Sequence, residues 1–352
     1  MLKLKEKTER TFDLVSLGEV MLRLDPGDDR IHNARSFRVW EGGGEYNVAR
    51  NLAKCFRQRT AIVTALADNQ VGRLVEDLID QGGVDASHIV WRQTDGISRT
   101  VRNGMYFMER GFGLRAATGC SDRGNTAVSQ LKPGNIDWKK IFEENGARWF
   151  HTGGIFAGLS ESTLGVADES MRAAKDAGAI VSYDLNYRES LWSDRGGREA
   201  ANAANRRLLG FADVVFGVEG FNPDLSAYSD DAFRSSAAKM VSDFPNLKLV
   251  ATTLRNVPSA SRHDLSGVCL YDEAVYKASD FIGVEVLDRV GSGDAFASGL
   301  IYGFLSEKEP RAAIETAVAA SALSLTSPGD GLSSTLAEIE RASVNRHAGP
   351  IR

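Results

Sequence analysis

The feature that most constrains this chain is a rhythm. Short β-branched or apolar runs alternate with longer segments of helical periodicity. Residues 12–17 read as a strand, and 46–56 as a helix with Val48, Leu52 and Phe56 at i, i+4 and i+8. Residues 60–66 follow as a strand, and 71–81 as a helix that stops at Gly82-Gly83. Strands are expected again at 149–152, 180–184, 213–217 and 247–253, with helices at 162–177, about 200–209 and about 231–243. Strands joined by crossover helices must lie parallel, so the rhythm predicts an α/β fold: a mostly parallel sheet with helices on both faces. No repeat of 20–50 residues is present.

Two stretches break the rhythm. Residues 21–41 and 97–122 lack helical periodicity and read as short strands with turns. Neither can bury a core alone. Together they are expected to form a small β lid inserted in one domain spanning about 11–340, which would keep water from a reaction; the alternative is two irregular surface loops. The last ten residues, small and charged, are expected to fray.

Composition narrows the function. With 42 Lys+Arg against 47 Asp+Glu, the formal charge is −5, which argues against nucleic acid or an anionic membrane as a partner. Residues 1–10 alternate charge with leucine and carry no apolar core of a secretory signal. No apolar run reaches the ~18 residues of a membrane helix. Cys55, Cys120 and Cys269 are odd in number and far apart, and the histidines are scattered. Neither a disulfide framework nor a zinc spacing results, and a reducing cytoplasm is the expected location. Glycine is the outlier, with 35 residues in 352 and no Gly-X-Y period. Some part of the fold requires backbone without side chains.

The densest chemistry is Asp288-Arg289-Val290-Gly291-Ser292-Gly293-Asp294-Ala295-Phe296, followed by a helix with Phe296, Leu300 and Phe304 on one stripe. Gly291, Ser292 and Gly293 let a ligand approach the backbone, and the first-turn N–H groups favour an oxyanion. Asp294 beside that hole has the position of a base for a hydroxyl attacking a phosphoryl group. The competing reading is a carboxylate that stabilises its own helix dipole. The run is neither a Walker A loop nor a Gly-x-Gly-x-x-Gly fingerprint. A second cluster, Gly42-Gly43-Gly44 with Asn47, opens another helix. It reads either as a backbone wall against a hydroxyl-rich ligand or as a simple turn.

In this order and at this distance, the two clusters resemble the paired signatures of the ribokinase-like (pfkB) family of sugar kinases, over residues 12–335. The resemblance implies a doubly wound sheet with a β lid, and ATP and Mg2+ as cosubstrate and metal. It also implies transfer to a primary hydroxyl, with Asp294 as base and Gly42, Gly43, Gly44 and Asn47 on the sugar. Further stretches are similar to one branch, the 2-keto-3-deoxygluconate kinases: residues 104–107, 121–123, 183–188 before Leu191-Trp192, and 251–255. A keto-acid sugar carries a carboxylate, which arginine forks bind bidentately. Arg123 and Arg188 are the candidates for it, with Tyr106 for a hydroxyl or the ring face. Each arginine reads alternatively as a surface ion pair. Ser121-Asp122 stand where that branch usually has a tyrosine, and Asp122 would repel an anionic substrate unless it pairs with Arg123 and turns away.

On the nucleotide side the resemblance points to Thr253, Arg255, Gly291, Gly293, Ser327 and Gly329. Val218 replaces the asparagine usual near the metal, leaving Glu219 as an outer-sphere partner. The exposed edge of the lid points to a homo-oligomer. Two other functions fit the same residues: a kinase of a neutral sugar or nucleoside, of the fructokinase or ribokinase type, and a non-catalytic sugar- or nucleotide-binding regulator.

Overall fold

A computed structural model describes residues 1–8, 11–221 and 224–345. The chain begins with β1 (Leu14–Leu17), β2 (Met21–Asp25), β3 (Arg38–Gly42) and α1 (Gly44–Lys54). There follow β4 (Thr60–Ala67), α2 (Gln70–Gln81), β5 (Asp85–Arg92), β6 (Met105–Glu109) and β7 (Thr118–Asp122). The middle holds β8 (Trp149–Gly153), α3 (Gly154–Gly158), α4 (Glu161–Asp176), β9 (Ile180–Asp184), α5 (Glu189–Trp192), α6 (Gly197–Leu209), β10 (Val214–Phe216) and α7 (Asp230–Asp243). The rest comprises β11 (Leu249–Ser259), β12 (Arg262–Tyr271), β13 (Ala274–Lys277), β14 (Phe281–Glu285), α8 (Ser292–Leu305), α9 (Pro310–Ser324) and α10 (Leu336–Val344).

Among the described residues, ten strands form one sheet in the order β13-β12-β11-β10-β9-β8-β1-β4-β5, with β14 paired to β12. From β11 to β5 every pairing is parallel. The expected doubly wound architecture is therefore the one observed. Successive strand residues point to opposite faces, and each face feeds its own core. Val15, Val63, Phe150 and Val181 lie in one cluster, while Leu14, Ile62, Trp149 and Ile180 lie in the other. This two-sided burial explains why these strands read as continuous apolar runs.

Helix starts follow their capping chemistry. Asn69 caps α2 by accepting from the Gly72 N–H at 3.0 Å, and Ser160 caps α4 in a capping box with Thr163. The sequence reading missed β5, whose residues are mostly half-buried. It also missed the antiparallel strands β12 to β14, which extend the parallel sheet past β11. Hairpin pairing leaves no helical period to read.

Residues from the two rhythm-breaking segments form a separate four-stranded sheet, β3-β2-β6-β7. β2 pairs antiparallel with β3 and parallel with β6. Of the tail expected to fray, α10 runs through Val344, and residues 346–352 lie outside the described residues.

Candidate functional site

The strand order reverses at β1, which has β4 on one side and β8 on the other. Open α/β sheets bind ligands beyond the carboxyl ends of their strands at such a point. There the two glycine clusters meet. Asn47, in the first turn of α1, donates from Nδ2 to Oδ2 of Asp294, in the first turn of α8, at 2.7 Å. A side chain at Gly44 would stand 3.6 Å from Oδ1 of Asp294, so bare backbone borders the carboxyl.

Two further carboxyls share this ground: Asp184 at the end of β9, and Glu45 beside Asn47. Burial pushes Asp294 up to about 7. The Asn47 amide opposes that rise, the charges of Asp184 and Asp330 add to it, and Arg188 opposes it. Burial likewise pushes Glu45 up to about 8, against backbone N–H groups and with Asp294 and Asp184 adding to the rise. Asp184 rises to about 6 by burial, held back by Asn186 and Arg188. A carboxyl that loses its proton near neutrality is suited to general base chemistry.

The glycines divide by what they face. Gly43, at φ 151°, lies against the main-chain oxygen of Glu19, and Gly291, at φ 80°, against that of Asp330. Any side chain at either position would collide with backbone. Gly42 packs beside Tyr106 and Asp330. At these three positions the protein itself fills the space. Gly293 differs, because nothing among the described residues stands within 4 Å of where its side chain would be. Its bare backbone faces open space at a helix start whose N–H groups have no intrahelical acceptor. Ser292, beside it, accepts a 2.6 Å hydrogen bond from Arg255 on its hydroxyl.

The side chains expected on the sugar are not equally free. Arg188 is exposed, and its charge acts on Asp184 and Asp294. Arg123 is paired at 3.1 Å with the buried Glu19. Asp122 pairs with Arg102 rather than with Arg123. The hydroxyl of Tyr106 donates to Asp330.

Of the residues expected on the nucleotide, Arg255, Ser327 and Gly329 line two separate cavities. Arg255 on β11 lines one of about 350 Å³ with His263, Asp288, Arg289 and the segment after β6. Burial and the nearby Arg289 lower the pKa of Arg255, and both cations, with burial first, lower His263 to about 4. Such an excess of positive charge fits a polyanion. Thr253 lies on β11 two residues before Arg255. Ser327 and Gly329 line the other cavity, of about 140 Å³, with Trp40 and Arg50. The Ser327 hydroxyl is buried without a hydrogen-bond partner among the described residues. Glu219 pairs with Arg206 at 2.8 Å. No group of three His, Cys, Asp or Glu among the described residues is set to hold a metal ion. Among them, too, no helix is long and apolar enough to cross a membrane.

Sequence reasoning passed over Arg23, which is fully buried in β2 between Leu22 and Leu24. A lone arginine in an apolar strand was the available signal. It also gave no role to Glu45, Asp184 or Asp330, whose neighbours only the fold supplies.

A sequence model of the pfkB family carbohydrate kinases matches residues 11–219 and 262–336. The chain is 29% identical over 340 residues to a 2-dehydro-3-deoxygalactonokinase of Haloferax volcanii, covering 96% of this chain and 99% of that protein. The structure resembles the 2-dehydro-3-deoxygluconokinase of Thermotoga maritima with a TM-score of 0.85 at 32% identity, covering 94% of this chain and 99% of the other. A putative ribokinase II of E. coli, solved with ATP and Mg2+, shares the fold with a TM-score of 0.76 at 17% identity, covering 96% and 100%.

Proposed function

Since this chain belongs to the pfkB family of carbohydrate kinases, we propose that it transfers the γ-phosphoryl group of ATP to a primary hydroxyl of 2-keto-3-deoxygluconate or a similar sugar acid. The observation that carries the reading is the bond from Asn47 to Asp294, which sets a carboxyl titrating near neutrality beside an open glycine backbone at a helix start. Asp294 takes the proton as the hydroxyl oxygen attacks phosphorus, and the oxygen bridging to ADP leaves in line. The N–H groups of Ser292 and Gly293 then stabilise the charge on the transferring oxygens. Asn47 orients the base, and its own Oδ1, buried with no partner among the described residues, accepts from a sugar hydroxyl.

The unbalanced charge of Arg255 and Arg289 serves the polyphosphate, with Thr253 on the same strand. Ser327 and Gly329 line the far side of the nucleotide. With no cage of three protein ligands among the described residues, Mg2+ fits as an ion held by phosphates and water, with Glu219, whose carboxylate pairs with Arg206, as outer-sphere partner. When bound it neutralises charge on the phosphates. The acid substrate is supported by Arg188, exposed beside Asp184 and Asp294, and by the names of the two relatives at 29% and 32% identity. A neutral sugar is the second reading. It is favoured by Arg123, whose pairing with Glu19 leaves one fewer free cation. We further expect a cytoplasmic homo-oligomer built through β7, an exposed edge strand of the small sheet.

The test is ADP release from ATP and Mg2+ with 2-keto-3-deoxygluconate, its galacto epimer, fructose and ribose. Turnover confined to the two acids is expected. Turnover only with fructose or ribose overturns the substrate, and none with any sugar overturns the kinase. Light scattering on a sizing column tests the oligomer, and a strict monomer contradicts it.

A further inference from the structure

Arg23 has no exposed surface. From the middle of β2 its Nη1 donates to Oδ1 of Asp330 at 2.8 Å, and its Nη2 donates to Oδ2 of Asp288. Asp25 stands 3.7 Å from the same guanidinium and takes a 2.7 Å bond from Arg110. The two carboxylates that the fork joins belong to the two segments shaping the helix start at Gly291. Asp288 precedes Gly291 by three residues and accepts from the Val290 N–H at 3.2 Å. Its other oxygen accepts from the Gly329 N–H at 3.3 Å, which ties it to the second segment. Asp330 sets its main-chain oxygen against the bare Cα of Gly291, and its second carboxylate oxygen accepts from Tyr106 of β6.

A charge buried this completely is costly to desolvate, and an apolar side chain at position 23 would match Leu22 and Leu24. Only a planar fork reaches two acceptors on two segments at once and fixes their spacing. Phosphoryl stabilisation depends on that spacing, because the N–H groups of Ser292 and Gly293 sit directly after the Asp288-to-Gly291 turn.

We propose that Arg23 is a positioning residue for phosphoryl transfer: from the small sheet it clamps Asp288 to Asp330 and so holds the Gly291–Gly293 helix start in its working geometry. The proposal rests on the kinase reading above. Arg23 touches neither substrate, so its loss should appear in kcat and not in sugar binding.

The test compares wild type, Arg23→Lys and Arg23→Ala in the full chain, each checked for a cooperative melt. Lysine keeps the charge, but one ammonium cannot reproduce the fork. Arg23→Lys should lose about 100-fold in kcat, the scale of a small misplacement of catalytic groups, with KM for the sugar close to wild type. In Arg23→Ala, dilute guanidinium chloride should restore part of the lost kcat, and it should do nothing for wild type. A folded Arg23→Lys with wild-type kcat overturns the proposal. So does a loss confined to KM, or a soluble Arg23→Ala that guanidinium leaves unchanged. If Arg23→Ala does not fold, the kcat and KM of Arg23→Lys decide. Absence of turnover in wild type overturns the kinase reading instead, so the two failures are distinguishable.

Discussion

Asn47 and Asp294, 247 residues apart in the chain, are joined by a 2.7 Å hydrogen bond. It links the first turns of α1 and α8, so the two glycine clusters lie side by side. The Asn47 amide also opposes the rise that burial imposes on the Asp294 carboxyl.

Asp294→Asn keeps the size and the polarity of the group but cannot take a proton. Turnover should fall by at least ~10²–10⁴-fold, the range of general base contributions. Binding of the sugar and of ATP, measured by calorimetry, should change little. Near-normal ADP release by this variant would remove Asp294 from the role of base.

The acid limb of activity should follow the same carboxyl. A base whose pKa is pushed up to about 7 is protonated and idle below that pH, so kcat/KM should rise with pH through about 7. Asp184→Asn removes a neighbouring negative charge and should move this limb to lower pH. Arg188→Ala removes a positive one and should move it higher. The neighbours interact, so the profile reports the cluster rather than one group. A limb unmoved in both variants would contradict the arrangement.

Glu45 gives a stability test with a definite sign. Its pKa is about 8 in the fold against an ordinary 4.5, so between these values the folded state holds more protons than the unfolded one. Stability from this group therefore falls as pH rises through that window. Glu45→Gln removes the dependence. Its Tm should gain on wild type between pH 5 and pH 8, by at least about 2–4 °C. A constant difference across that range would show that Glu45 is not held protonated.

Two glycines of one loop should respond in opposite ways. Gly291→Ala forces a side chain into a left-handed conformation and onto the main chain of Asp330, and should cost at least about 2 kcal/mol of stability. Gly293→Ala meets nothing among the described residues and should leave stability within about 0.5 kcal/mol. Its methyl group enters the space proposed for the phosphoryl oxygens, so kcat should fall by about 100-fold. Thermal melts beside ADP release check both, and equal behaviour of the two variants would contradict the division.

The two arginines should also separate. Arg123→Ala leaves the buried Glu19 without its partner and should destabilise the fold by on the order of 2–3 kcal/mol. Arg188→Ala, at an exposed side chain, should lower the melt far less. It should raise KM for a sugar acid by about tenfold or more through loss of a carboxylate partner, and hardly alter KM for a neutral sugar. An unchanged KM for every acid tried removes Arg188 from the substrate.

Sequence by itself determined the alternation of strands and helices, because burial on both faces of a parallel sheet writes continuous apolar runs such as 60–66. It also determined where bare backbone and a carboxylate start a helix, since Gly291 to Asp294 are contiguous. Only the tertiary structure decided which glycines face open space, because the neighbours of Gly43 and Gly291 are Glu19 and Asp330, far away in the chain. The same holds for Arg23. Its acceptors lie 265 and 307 residues distant, and nothing local in β2 records them. Periodicity carries the local rules of backbone and burial, whereas the charge state of Asp294 and the reach of the Arg23 fork depend on groups that only folding brings within a few ångströms.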